Sequence, residues 1–165
     1  YLGAAGIGVE LCRPGWVVPG AVGSILLLLG LHAYRWTTAG FAALAPACPM
    51  PLVADESCWH LGDLVRLAPH VDGINIKLLK SGGLEQALLM ARTAKQLGLG
   101  VMLGCYSDGG LLNGAAAQLL PLVRWPDLDS HLNLIDDPFT GLRRAGDLLQ
   151  PSLEPGLGIA AGGLL

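Results

Sequence analysis

The feature that most constrains this chain is a spacing. From residue 50 onward, short apolar runs that read as strands alternate with helix-sized segments at a period of roughly 25 residues. Pro51 to Ala54 reads as a strand, and Leu61 to Ala68 as a helix with Leu61, Leu64, Val65 and Ala68 on one face. Ile74 and Ile76 bracket Asn75 in a second strand. Leu84 to Leu97 is a helix set between the Gly82-Gly83 turn and Gly98, a C-capping residue. Val101 to Leu103 is a third strand and Asn113 to Val123 a third helix, with a fourth strand expected within Leu128 to Ile135. The order β-α-β-α-β-α-β argues for a parallel sheet with right-handed crossovers. Strands this short and closely spaced suit a barrel, or part of one, better than a large open sheet.

In such an architecture, residues just past the strand C-termini converge on one rim. That rim would receive Asp55 and Glu56, Lys77, the stretch Cys105 to Asp108, and Asp127 with Asp129. Carboxylates there can hold a hard divalent cation through oxygen. A lysine beside the cation has its ammonium form disfavoured and can act as a general base. Together they could remove a proton alpha to a carboxylate and stabilise the enediolate. Each residue also has a plainer reading. An Asp after a strand caps helices, a lone Lys is commonly solvated, and Asp127 and Asp129 on one face of an extended strand suit a solvated edge. Cys105 has no histidine near it in sequence to make it a nucleophile. His60, His70 and His131 read as structural or surface residues.

Residues 1–36 differ from all of this. From Trp16 to Tyr34 there is no Asp, Glu, Lys or Arg, and the stretch includes the run Ile25 to Leu29. It is about long enough for a transmembrane helix, and Trp16, Tyr34 and Trp36 sit where interfacial aromatics would. The segment reads as a membrane span or hairpin through residues 16–34, or as a buried core helix. The pattern Pro14-Gly15-Trp16-Val17-Val18-Pro19-Gly20 followed by a Gly/Leu-rich stretch resembles the membrane segment of NfeD-like proteins. A domain boundary is expected near residue 37, giving an apolar helical segment at 1–36 and a strand–helix domain at 37–165. A net charge of −3 gives no electrostatic case for nucleic acid. None of the four cysteines forms a CxxC pair or a zinc-type spacing, which suits reduced thiols and a cytoplasmic setting for the strand–helix part.

Several motifs then carry a family resemblance. P-L-V-A-D-E-S-C at 51–58, D-G-I-N-I-K-L-L-K-S-G-G at 72–83 and G-V-M-L-G-C at 100–105 resemble the enolase superfamily, and within it the muconate lactonizing enzyme subgroup. With D-L-D at 127–129 and D-D-P-F-T-G-L at 136–142, the pattern is most similar to dipeptide epimerases of the L-Ala-D/L-Glu type. The resemblance implies about the last four strand–helix units of a TIM-type barrel. It also implies Mg²⁺ as cofactor, a small dipeptide as substrate, and epimerisation by removal and return of an alpha proton. It matches Asp55 to a metal ligand, Lys77 to an acid/base lysine, and Asp127 and Asp129 to the residues receiving the dipeptide ammonium. Gly104 to Asp108, including Cys105 and Asp108, matches a pocket-lining segment. The chain departs from the family at Asp108, where Glu is usual, at Gly109-Gly110, which replaces a Ser-rich pair, and at Gln118, where His is common.

The family also uses a K-x-K motif and two further acidic ligands on earlier strands. This chain has no K-x-K, and Glu10 is the one acid among residues 1–36. One lysine serves one face of an alpha carbon, so the expectation is an incomplete catalytic set and an isomerase inactive by itself. Such a unit should self-associate or recruit a missing barrel half. The competing expectations are a membrane-anchored, non-catalytic protein with a degenerate barrel remnant, or a fusion of two unrelated fragments.

Overall fold

The computed structural model describes residues 37–146 and 148–162. The expected helical segment and membrane span at 1–36 lie outside the described residues. Among those that are described, no helix is long and apolar enough to cross a membrane.

The main compact unit begins at Phe41. From Thr38 onward the elements are α1 (Thr38–Leu44), β1 (Val53–Ala54), α2 (Leu61–Leu67), β2 (Gly73–Ile76), α3 (Leu78–Ser81), α4 (Leu84–Gln96), β3 (Gly100–Leu103), α5 (Gly110–Ala117) and β4 (Trp125–Pro126). Strands β1 to β4 form one parallel sheet in that order, as the alternation implies. The sheet stays open, and among the described residues no barrel closes. Two small antiparallel pairs follow. Strand β5 (Phe139–Thr140) pairs with β8 (Ala160–Ala161), and β6 (Arg143–Ala145) with β7 (Leu148–Gln150).

The sheet carries Ala54, Ile74, Ile76, Val101 and Leu103, all essentially sealed from solvent. Helix α4 packs Ala87, Met90, Ala91 and Ala94 against it at helical spacing. Helix α2 adds Leu64 and Leu67 to the same core. Val65, expected on the buried face of α2, is 56% exposed. The buried face of the helix is turned from the expected phase, and Leu67 takes the core position instead. The start of α2 is fixed by a capping box. The Asp63 N–H donates to His60 Nδ1, and the Asp63 carboxylate accepts from the His60 and Trp59 N–H groups.

Close packing at the sheet edge explains two glycines. The Trp125 ring lies across Gly100 and Gly73, where an added Cβ would stand 2.4 Å and 2.9 Å from it. Glycine is what lets a tryptophan lie across two neighbouring strands here. Between α3 and α4 the chain reverses through Gly82 and Gly83, with φ of 85° and 104°, a conformation that side chains resist.

Two boundaries differ from the sequence expectation. Helix α5 runs from Gly110 to Ala117, ahead of the expected Asn113 to Val123, and a 3-10 turn at Leu120–Leu122 follows it. The fourth strand is Trp125–Pro126, not within Leu128 to Ile135. Proline argues against a strand unless the strand is at an edge, and β4 is the last strand of the sheet. Asp127 and Asp129 therefore follow the strand rather than lie within it.

Candidate active site

Three of the sequence-predicted groups meet beyond the ends of β1 and β2. Lys77 Nζ lies 3.0 Å from Asp55 Oδ2 and 2.7 Å from Glu56 Oε1. A second lysine joins them that the sequence reading did not single out. Lys80 Nζ donates to Asp55 Oδ1 at 2.7 Å and to the Asp55 carbonyl at 2.6 Å. Lys77 ends an extended segment and Lys80 sits one turn later in α3, so both stems lead back to the same carboxylate. The K-x-x-K spacing was visible in sequence. The burial of Lys80, whose side chain is 1% exposed, was not.

Tyr106, from the loop after β3, closes the group. Its hydroxyl donates to Glu56 Oε2 at 2.8 Å, and Lys77 Nζ stands 4.3 Å from its ring centroid. These contacts set the charges. Partial burial pushes the Asp55 carboxyl up, but the hydrogen bonds from Lys80 and Lys77 outweigh it and hold the group below its ordinary value. Glu56 is likewise held low, with burial opposing and the bonds from Lys77 and Tyr106 prevailing. Burial pulls the Lys77 ammonium down, while Glu56 and Asp55 more than compensate and leave it raised. Burial and the bond to Glu56 push the Tyr106 hydroxyl up to about 12. Lys77 in this arrangement holds its proton. An ammonium so held can give a proton, and it can take one only after losing its own.

Asp127, Asp129 and Cys105 form a second group, with ligand atoms within 4.8 Å of one another. Both carboxylates are exposed, and among the described residues neither has a salt-bridge partner. Asp108 does not join either group. It is 7% exposed, and its carboxylate turns back to accept the Tyr106 N–H at 3.3 Å. Its carbonyl accepts from Ser130 Oγ at 2.8 Å, and Asn113 Nδ2 donates to Ser130 Oγ at 2.9 Å. Asn113 and Ser130 thus tie the loop after β3 to the loop after β4. Sequence reading missed this brace, because its members are far apart in the chain and chemically ordinary. The Gly109-Gly110 departure also has a steric basis. A Cβ at Gly110 would meet the Phe139 carbonyl at 2.8 Å, and the Gly110 N–H donates to Asp137 Oδ2.

A magnesium ion needs near-octahedral oxygen ligands. Both oxygens of Asp55 and both of Glu56 already accept from ammonium or hydroxyl donors. Two lysines also neutralise the two carboxylates. The other acidic group includes a thiol, a poor partner for so hard a cation. The described residues do not by themselves fit a magnesium ion.

An open α/β sheet with carboxylates and a lysine beyond its strand ends has the form of part of a TIM-type barrel. The family model for "Enolase C-terminal domain-like" proteins matches residues 33–161, and the chain belongs to that family. Its relatives include the "Hydrophobic dipeptide epimerase" of Roseobacter litoralis, 41% identical over 109 residues, which are 66% of this chain and 32% of that protein. The "L-Ala-D/L-Glu epimerase" of Bacteroides thetaiotaomicron is 38% identical over 111 residues, 67% of this chain and 29% of that one. Among solved structures, the substrate-liganded L-Ala-D/L-Glu epimerase from Bacillus subtilis matches with a TM-score of 0.74 at 29% identity, covering 79% of this chain and 38% of that chain. The dipeptide epimerase from Enterococcus faecalis, complexed with Mg and L-Leu-L-Tyr, matches with a TM-score of 0.70 at 31% identity, over 77% of this chain and 38% of that one. The chain spans about a third of the length of the curated relatives it matches.

Proposed function

We propose that this chain carries one side of a dipeptide epimerase site. Lys77 is the proton-transfer group on one face of the substrate alpha carbon, and Asp127 with Asp129 receives the dipeptide ammonium. The observation that carries this reading is the seating of Lys77, its side chain 10% exposed, between Asp55 and Glu56 beyond the ends of β1 and β2. Membership in a family whose similar members are named as dipeptide epimerases supports it. The exposed carboxylates of Asp127 and Asp129 suit a primary ammonium, which two acceptors can hold by charge-assisted hydrogen bonds. The family resemblance would give Asp55 to a magnesium ion, but here both its oxygens accept from Lys77 and Lys80.

Epimerisation needs groups on both faces of the alpha carbon, and this chain supplies Lys77 for one. The purified chain alone should therefore not epimerise dipeptides. The test is a chimera in which residues 41–162 replace the matched segment of the Roseobacter litoralis relative. A folded chimera should epimerise hydrophobic dipeptides, and Lys77→Ala should abolish the activity. A folded chimera whose activity survives Lys77→Ala would overturn the assignment. So would robust epimerisation by the 165-residue chain alone.

A further inference from the structure

We infer that Tyr106 is a positioning residue for Lys77, acting through Glu56. The inference rests on the reading of Lys77 as the proton-transfer group for its functional meaning, but its geometry stands apart. Lys80 takes Asp55 Oδ1 and the Asp55 carbonyl, which leaves Lys77 the longer contact to Oδ2 at 3.0 Å. The shorter contact of Lys77 is to Glu56 Oε1, at 2.7 Å. Yet the Glu56 side chain is 53% exposed, and an exposed ion pair by itself holds two flexible side chains poorly. The Glu56 backbone is fixed, because its carbonyl accepts from Trp59 Nε1 at 2.8 Å. Its carboxylate is fixed from beyond β3, where the Tyr106 hydroxyl takes Oε2 and turns Oε1 toward Lys77. The ring of Tyr106 covers the same ammonium.

Tyr106 is itself held in place. Its N–H donates to the buried Asp108, whose carbonyl accepts from Ser130 Oγ. The order of support is therefore Asp108, Tyr106, Glu56, Lys77. This gives the family departure at Asp108 a role. A carboxylate one methylene shorter than Glu closes onto the backbone N–H two residues earlier and presents the Tyr106 ring to the lysine.

The lysines of the chain are Lys77, Lys80 and Lys95, so ¹⁵N-lysine labelling of the full chain gives few ammonium signals. Lys77→Arg and Lys80→Arg assign them. An ammonium held in hydrogen bonds exchanges its protons slowly, so Lys77 and Lys80 should both be visible at neutral pH, while exposed Lys95 should not. Tyr106→Phe keeps the ring and removes the donor to Glu56. It should shift the Lys77 signal and speed its hydrogen exchange about tenfold. Tyr106→Leu removes ring and donor together and should erase the Lys77 signal. Lys80, which touches neither Tyr106 nor Glu56, should be unchanged in both variants. Tyr106 is 36% exposed, so neither variant opens the core, and circular dichroism checks the fold. An unchanged Lys77 signal in folded Tyr106→Leu would overturn the inference, as would equal changes at Lys77 and Lys80. If the chimera keeps its activity without Lys77 while Tyr106 still governs the Lys77 signal, the positioning stands and the catalytic assignment of Lys77 falls.

Discussion

Replacing Asp55 with Asn tests the charge cluster as a unit. The Lys80 side chain is 1% exposed, and its contacts at the cluster are the Asp55 carboxylate and carbonyl. Asp55→Asn would keep the backbone carbonyl and one side-chain oxygen as acceptors near Lys80 but remove the compensating charge. Breaking a fully buried pair by deleting one partner costs about 3–5 kcal/mol. The Asp55 side chain is 43% exposed, so water screens the pair, and the expected loss is about 1–3 kcal/mol. For a domain of this size that lowers the Tm by about 3–10 °C. The pH dependence carries the sharper test. Asp55 is held below its ordinary value of 3.8, so its folded-state charge stabilises the chain fully above that pH. The contribution is lost as pH falls through the lowered value, where a protonated Asp resembles Asn. The stability gap between parent and Asp55→Asn should be largest near pH 7 and should close below pH 3.8. Urea unfolding followed by circular dichroism across this range measures it. Equal stability at pH 7, or a gap that widens in acid, would refute the account of the cluster.

Two further predictions concern the core. Gly100→Ala places a Cβ 2.4 Å from the Trp125 ring and should cost about 1–3 kcal/mol. The same change in a Trp125→Leu background should cost far less, and additive losses by denaturant unfolding would contradict the packing described. Cys58 is 0% exposed, and burial pushes its thiol up to about 11. At pH 8 about one molecule in a thousand carries the thiolate, so iodoacetamide should label half-buried Cys105 first and Cys58 only on unfolding, as read by peptide mass. Labelling of both at one rate in the folded chain would count against that burial.

The strand–helix alternation was legible because each helix advertises its ends. Gly82-Gly83 opens α4 and Gly98 follows it, and the apolar spacing between them is the buried face. The positions of Asp55 and Lys77 followed from parallel strands delivering their ends to one side. What stayed hidden depends on contacts distant in sequence. Strand β4 is two residues long and contains Pro126, and only its place at the sheet edge makes it a strand. Tyr106 lies 50 residues from Glu56, and no local pattern pairs them. The pairing of Phe139 with Ala161 is likewise a product of packing that spacing cannot announce. Asp108, which the resemblance sets in a pocket-lining segment, is buried, and its carboxylate finds its donor in the backbone N–H of Tyr106, a pairing that spacing does not announce.

The central claim is that this chain serves one face of the alpha carbon through Lys77. Exchange of the alpha proton tests it directly, in the chimera dissolved in D₂O, with the two epimers of one hydrophobic dipeptide supplied separately and deuterium followed by ¹H NMR at early times. Lys77→Ala should stop incorporation into one epimer and leave incorporation into the other. Equal loss from both epimers, or loss from neither, would contradict a one-faced role for Lys77.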